Sequence, residues 1–193
     1  MARFFRVSHN RAGSFEPTSA IFPKHVAPVV RRAADGEREI VMMSWGFMLL
    51  QNGRAPRPVT NVRDDKILTS SFWKASFEER RCLVPASSFC EPNGDVKPAT
   101  WHWFSIADNE LRPLFAFPGI WRRYKGPMKK DGPNVDIETY SFLTTTPSPT
   151  CAVGGWFLRF RARWCESDQG VGRFGRRIGR VVPTKGVFFL QGR

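Results

Sequence analysis

Apolar residues come in short bursts along this chain, and turn-forming residues separate the bursts. The run at 27–30 follows Pro23, and the run at 39–50 precedes Asn52-Gly53. The run at 81–89 leads into Pro92-Asn93-Gly94-Asp95, and 101–106 ends at Ala107-Asp108-Asn109. The run at 114–121 carries Pro118-Gly119, and 138–145 stops before Pro147. These runs are rich in β-branched and aromatic residues, so they predict the strands of a sheet-rich fold. Trp101-His102-Trp103-Phe104 followed by Asn109-Glu110-Leu111 predicts a hairpin. One stretch, 70–80, has helical spacing: Ser70 or Ser71 caps it, Glu78 and Glu79 share one face, and Phe72, Trp73 and Phe77 share the other. No repeat and no long linker interrupts the chain before residue 146.

Composition narrows the class. The chain has 193 residues, 41% of them hydrophobic and 13% aromatic, enough for a packed core. Its longest mainly apolar run, 40–50, is broken by Ser44 and Gly46 and falls far short of the roughly 20 residues that cross a bilayer as a helix. No stretch of signal-peptide character opens the sequence. Cys82, Cys90, Cys151 and Cys165 form no CxxC pair, so neither a structural zinc nor a disulfide framework is expected. Reduced thiols in a cytosolic protein are expected instead.

Charge adds the first functional clue. The formal net charge is +13, which favours polyanionic partners, nucleic acid before anionic membrane. The alternative is a solvated basic surface with no partner. Residues 151–193 carry +7 of that charge and eight of the 16 glycines. That segment shows no sustained helical or strand period. Two readings of it stand: a Gly/Arg-rich single-strand binder with interleaved aromatics, or a product of a shifted reading frame in a GC-rich gene. The chain thus divides into a domain at 1–150 and a divergent tail at 151–193.

No Walker loop, HExxH or GxSxG motif is present, and the three histidines, His9, His25 and His102, offer no recognisable triad. Two polar constellations remain. Asn61 and Arg63, two apart on an extended segment, project to one side. They pair an amide with a phosphate-matching fork, or are a solvated strand end. The run Arg81-Cys82-Leu83-Val84-Pro85-Ala86-Ser87-Ser88-Phe89-Cys90 leads straight to Glu91. A carboxyl at a buried strand end has its pKa raised and suits proton transfer; the competing reading is a surface Glu in a turn.

The ordered segments around Pro23, Met43-Ser44-Trp45-Gly46-Phe47, Thr60-Asn61-Val62-Arg63, Arg81 through Glu91, Phe115-Ala116-Phe117-Pro118-Gly119-Ile120-Trp121 and Phe142-Leu143-Thr144-Thr145 resemble the SOS response-associated peptidase (SRAP) family. The resemblance implies an α+β domain of mainly antiparallel, barrel-like sheets with a basic groove for single-stranded DNA. It implies an abasic-site processing protein with autopeptidase ancestry. An N-terminal Cys, exposed by Met removal, condenses through its amine and thiol with the sugar aldehyde and closes a thiazolidine crosslink. Carried over, Asn61 positions the sugar or the reacting terminus and Glu91 moves protons. Arg63 clamps a phosphate, Trp45 and Gly46 shape the groove wall, Pro23 lies near the site, and Thr144 or Thr145 hydrogen-bonds near the lesion. The implied partner is single-stranded DNA containing abasic sites. No cofactor, metal or membrane is expected, and a monomer in the bacterial cytoplasm at the nucleoid is.

Two departures shape the expectation for activity. This chain begins Met1-Ala2, where the family begins Met-Cys, and the segment before Pro23 is short, so a truncated or misassigned start is expected. Beyond Pro147 there is no His, and Trp156 stands where the family's catalytic His falls. An incomplete sheet lacking its closing strands, with marginal stability, follows from that reading. The function readings are therefore an abasic-site crosslinking enzyme acting through Asn61 and Glu91, or an inactive remnant that binds single-stranded DNA or nothing. A third is an RNA-binding module built on the tail.

Overall fold

A computed structural model of the chain describes residues 1–16, 18–93, 97, 98, 100–105 and 112–144, together with the backbone of 182 and 183; for 91–93 and 102 it describes the backbone. The strands are β1 (His9–Asn10), β2 (Val26–Arg32), β3 (Arg38–Trp45), β4 (Phe47–Leu49), β5 (Arg57–Val59), β6 (Asn61–Arg63), β7 (Arg81–Ala86), β8 (Phe89–Asn93), β9 (Thr100–Phe104), β10 (Phe115–Pro127), β11 (Asn134–Thr144) and β12 (Val182–Pro183). One helix, α1 (Ser71–Glu79), follows β6.

The principal sheet has the order β1-β3-β2-β7-β10-β11-β6, and β11 pairs with β3 as well. That extra pairing bends β3, β2, β7, β10 and β11 into a closed five-stranded barrel. Four of its five seams are antiparallel; the closing seam is parallel, with Thr139 opposite Ser44 and Tyr140 opposite Trp45. The expected mainly antiparallel barrel is therefore present. The expectation of missing closing strands is corrected: two strands of the described part close the ring, and closure removes the edges that were to weaken it. A second sheet, β12-β9-β8, and the β4–β5 hairpin complete the architecture.

Alternation along the strands explains the layering. Val29, Val41, Met43, Cys82, Val84, Phe115, Phe117 and Tyr140 fill the barrel interior. Their neighbours Val30, Ile40, Leu83 and Ala116 face outward, where Phe5, Met1 and Val7 cover them. On another outer face, α1 lays Trp73, Phe72 and Phe77 against Phe47, Val62, Ile67 and Ile120. Ser70 is the N-cap residue by position and backbone (φ −97°, ψ 124°), though its side chain makes no cap hydrogen bond. The Arg122 guanidinium lies over both Phe47 and Phe72, at 4.5 and 4.2 Å, and burial lowers its pKa. Gly119 marks a tight crossing of the wall, because a Cβ there would lie 3.0 Å from Cys82 Sγ and from Val84 Cγ2.

Three local expectations change. The run at 39–50 is two strands, broken at Gly46, whose φ of +107° turns the chain off the sheet. The run at 81–89 likewise splits after Ala86. The partner of β9 in a hairpin is β8, with Glu91 opposite His102; residues 109–111, its expected partner, lie outside the described residues, as does the tail apart from β12.

Candidate functional site

The mouth of the barrel is built by a change of strand along one edge of β11. β3 accompanies β11 as far as Trp45, and then Gly46 turns away while its N–H donates to the Tyr140 carbonyl at 2.8 Å. After the β4–β5 hairpin the chain returns, and β6 takes over the vacated edge, with Asn61 opposite Phe142 and Arg63 opposite Thr144. The return is fixed by the Trp45 indole, whose Nε1 donates to the Thr60 carbonyl at 3.2 Å. Gly is required at 46 twice over. Its φ is positive, and a Cβ would lie 2.7 Å from Cβ of Pro58.

Alternation on β6 leaves Asn61 and Arg63 exposed while Val62, 1% exposed, is buried under α1. The two polar side chains thus share the side that faces away from the helix. The turn holding Pro23 is tied to the same corner. Lys24 N–H donates to the Trp45 carbonyl at 2.7 Å, Trp45 N–H to the His25 carbonyl at 2.8 Å, and Ser44 Oγ to the Lys24 carbonyl at 3.0 Å. Lys24 adopts a positive φ of 72° to do so. Pro23, Trp45, Gly46, Asn61 and Arg63 are therefore brought to one rim.

Below that rim runs an aromatic row. Trp45 stacks on Phe142 (5.4 Å, 21°), Phe142 on Phe117 (5.0 Å, 23°), and Phe117 meets Phe89 edge-on at 5.5 Å. Phe89 stacks in turn on Phe104 at 5.0 Å. The row carries packing from the Asn61 corner to the start of β8, the strand of Glu91. The Glu91 side chain lies outside the described residues, as does Thr145. Thr144 is buried and its Oγ1 donates to the Val62 carbonyl at 3.4 Å, holding β11 to β6. At the turn between β7 and β8 the Ser87 hydroxyl is buried without a hydrogen-bond partner among the described residues.

The opposite end of the barrel is charged and closed. Arg31 Nε donates to Glu39 at 2.7 Å and Nη1 to Glu138 at 2.6 Å, and the guanidinium covers Trp121 at 4.1 Å. Arg11 adds a second cation to Glu39 at 2.6 Å. Burial opposes the Arg31 charge, but hydrogen bonds to Glu138 and Glu39 outweigh it and raise its pKa. Beside it, burial pushes the Cys82 thiol well up, and burial does the same to the Tyr140 phenol. Cys82 is therefore a neutral core thiol, not a nucleophile.

Residue 2 belongs to neither end. The segment that carries Ala2 is anchored by Phe5 on the outer wall against Val30 and Ile40, and Val7 N–H closes it onto the Ala2 carbonyl at 3.0 Å. From Ile40 to Trp45 the strand advances about 17 Å.

Sequence reasoning missed the aromatic row and two charged groups, Lys24 and Asp65. The spacing of Phe115 and Phe117 signals one inward face, but Phe142 joins it only through the β10–β11 register. No group of three His, Cys, Asp or Glu side chains is placed to hold a metal among the described residues, and no helix among them is long and apolar enough to cross a membrane.

A closed five-stranded barrel with a polar rim on one edge of β11 is the class of protein this fold defines. Residues 1–153 match the SOS response associated peptidase (SRAP) family, and the chain belongs to that family. Among solved structures it is similar to a Bordetella bronchiseptica protein, at 21% identity and a TM-score of 0.59, over 81% of this chain and 72% of that one. It is also similar to a Bacteroides thetaiotaomicron protein (20%, TM-score 0.48, 67% and 54% of the two chains) and to a phage-related protein of B. bronchiseptica (18%, TM-score 0.46, 65% and 55%). The chain thus spans little more than half the length of the last two. No curated protein matches it. Membership associates the chain with the SOS response and a DNA-related role.

Proposed function

We propose that this protein binds single-stranded DNA at abasic sites through the barrel mouth. The observation that supports this reading is the strand change on β11, which sets Asn61 and Arg63 side by side, exposed, on the rim that Trp45 and Gly46 shape. Arg63 takes a phosphate with its fork and Asn61 takes the opened sugar, donating and accepting through one amide. Glu91 supplies a carboxylate to the same lesion from β8, with Pro23 and Thr145 as further contacts.

The test uses the full chain and a labelled single-stranded oligonucleotide with and without an abasic site. Tighter binding to the abasic strand is expected, falling steeply between about 50 and 200 mM salt. Salt-independent affinity, or equal affinity for both strands, overturns lesion recognition at this mouth.

A further inference from the structure

The fork of Arg63 already holds an anion. Its Nε donates to Oδ1 of Asp65 at 3.0 Å and its Nη2 to Oδ2 at 2.8 Å, a bidentate pair between residues two apart. The carboxylate is presented by a fixed turn: Asp64 N–H donates to the Thr144 carbonyl at 2.9 Å and Lys66 N–H to the Arg63 carbonyl at 3.0 Å. Carboxylate and phosphate both offer a guanidinium two oxygens in one plane, and one face of the fork accepts one such pair at a time.

Resting on the reading of Arg63 as the phosphate clamp, we propose that Asp65 is a built-in competitor that occupies the phosphate position of the DNA-binding rim. Both side chains are about half exposed, 47% and 46%, so solvent weakens the pair and a phosphodiester can displace it. The tether through one intervening residue keeps the carboxylate at hand whenever the fork is empty. A phosphate that arrives alone gains little by exchanging one anion for another. A phosphodiester held in place by further contacts, such as those of its neighbouring sugar at Asn61, wins the exchange. Asp65 thereby lowers affinity for loosely held backbone and makes the rim selective for DNA seated in the mouth.

The neighbour Asp64 provides the control, since it carries the same charge one residue away while its backbone N–H is held by the Thr144 carbonyl. Binding of an undamaged oligodeoxythymidylate is measured by fluorescence anisotropy at low salt for the parent and for D65N, D64N, R63Q and R63Q/D65N. D65N is expected to tighten binding about three- to fivefold, and D64N by less than half as much. In the R63Q background, the gain from D65N is expected to shrink to that of D64N. If D65N and D64N gain equally while R63Q weakens binding, the clamp stands and the competitor role falls. If R63Q leaves affinity unchanged, the clamp itself fails and the competitor with it.

Discussion

The two ends of the barrel solve opposite problems with the same residue types. At the charged end, Arg31 is matched by Glu39 and Glu138 and lies over Trp121, with Glu39 4% exposed. At the mouth, Arg63 pairs with the Asp65 carboxylate half in water, and Asn61 beside it is exposed. The difference is where each cation finds its partner. A buried charge must be paired inside the protein, because an uncompensated one is expensive. An exposed one is cheap to leave weakly paired and therefore available to a ligand. One end of the barrel is committed to stability, and the other is left open to exchange.

Breaking the committed end gives the largest expected effect. Arg31→Leu leaves the buried Glu39 with Arg11 alone and strips Glu138 of its partner, at a cost of about 3–5 kcal/mol. Urea unfolding measures it. A loss below about 1 kcal/mol would place this cluster with ordinary surface pairs and erase the contrast between the ends.

Gly46→Ala comes next and attacks the mouth through its backbone. The new Cβ must tolerate a φ of +107° and a 2.7 Å approach to Pro58 Cβ. About 1–3 kcal/mol is expected for such strain, read as a lower melting temperature. Because Gly46 is where β3 hands the edge of β11 to β6, DNA affinity falls along with stability. A variant that keeps both would show that the strand change can form without glycine.

The hydrophobic pattern made most strands legible, because alternation against a filled interior is a local signal. Asn61, Val62 and Arg63 illustrate it: two polar residues around one apolar residue become an exposed, buried, exposed strand. The closing seam was not legible. Ser44 and Thr139 lie 95 positions apart in the sequence and pair in parallel, and no local pattern encodes a register over that distance. The break at Gly46 was hidden for a related reason, since the apolar run continues straight through it and only the clash with Pro58 reveals the turn. Asp65 was within reach of a reading that set the acid two positions beyond Arg63 against its fork. Glu91 was read at the end of the 81–89 run, whereas it lies inside a separate strand, β8, whose tie to the mouth through Phe89 and Phe117 required the fold.

A smaller effect separates the interior from both ends. Burial raises the Tyr140 phenol above its ordinary 10.0 and the Cys82 thiol above its ordinary 9.0. Both are acids that stay neutral in the folded protein and ionise more readily once unfolded. Their contribution to stability is complete below pH 9 and is lost as pH rises beyond it, by up to about 1.4 kcal/mol per pH unit per group. Tyr140→Phe should therefore flatten the decline of the unfolding midpoint at alkaline pH. An unchanged slope would mean that the decline originates elsewhere in the molecule.

The smallest effect tests the open end. Arg63→Gln keeps hydrogen-bonding capacity but removes the charge and the fork. Since Arg63 lies on the exposed side of β6 while the core contact is made by Val62, stability should stay within about 0.5 kcal/mol of the parent. Affinity for single-stranded DNA should fall at low salt and converge with the parent as salt rises. One phosphate contact fewer lowers the slope of log affinity against log salt by about 0.7 for a single strand. Convergence with a shallower slope is the signature of a lost phosphate contact, whereas a parallel loss at every salt concentration would point to Arg63 reading something other than charge. Against Arg31→Leu, which costs stability first, this variant completes the contrast: the same residue type is structural where its carboxylates are buried and replaceable where its partner is in water.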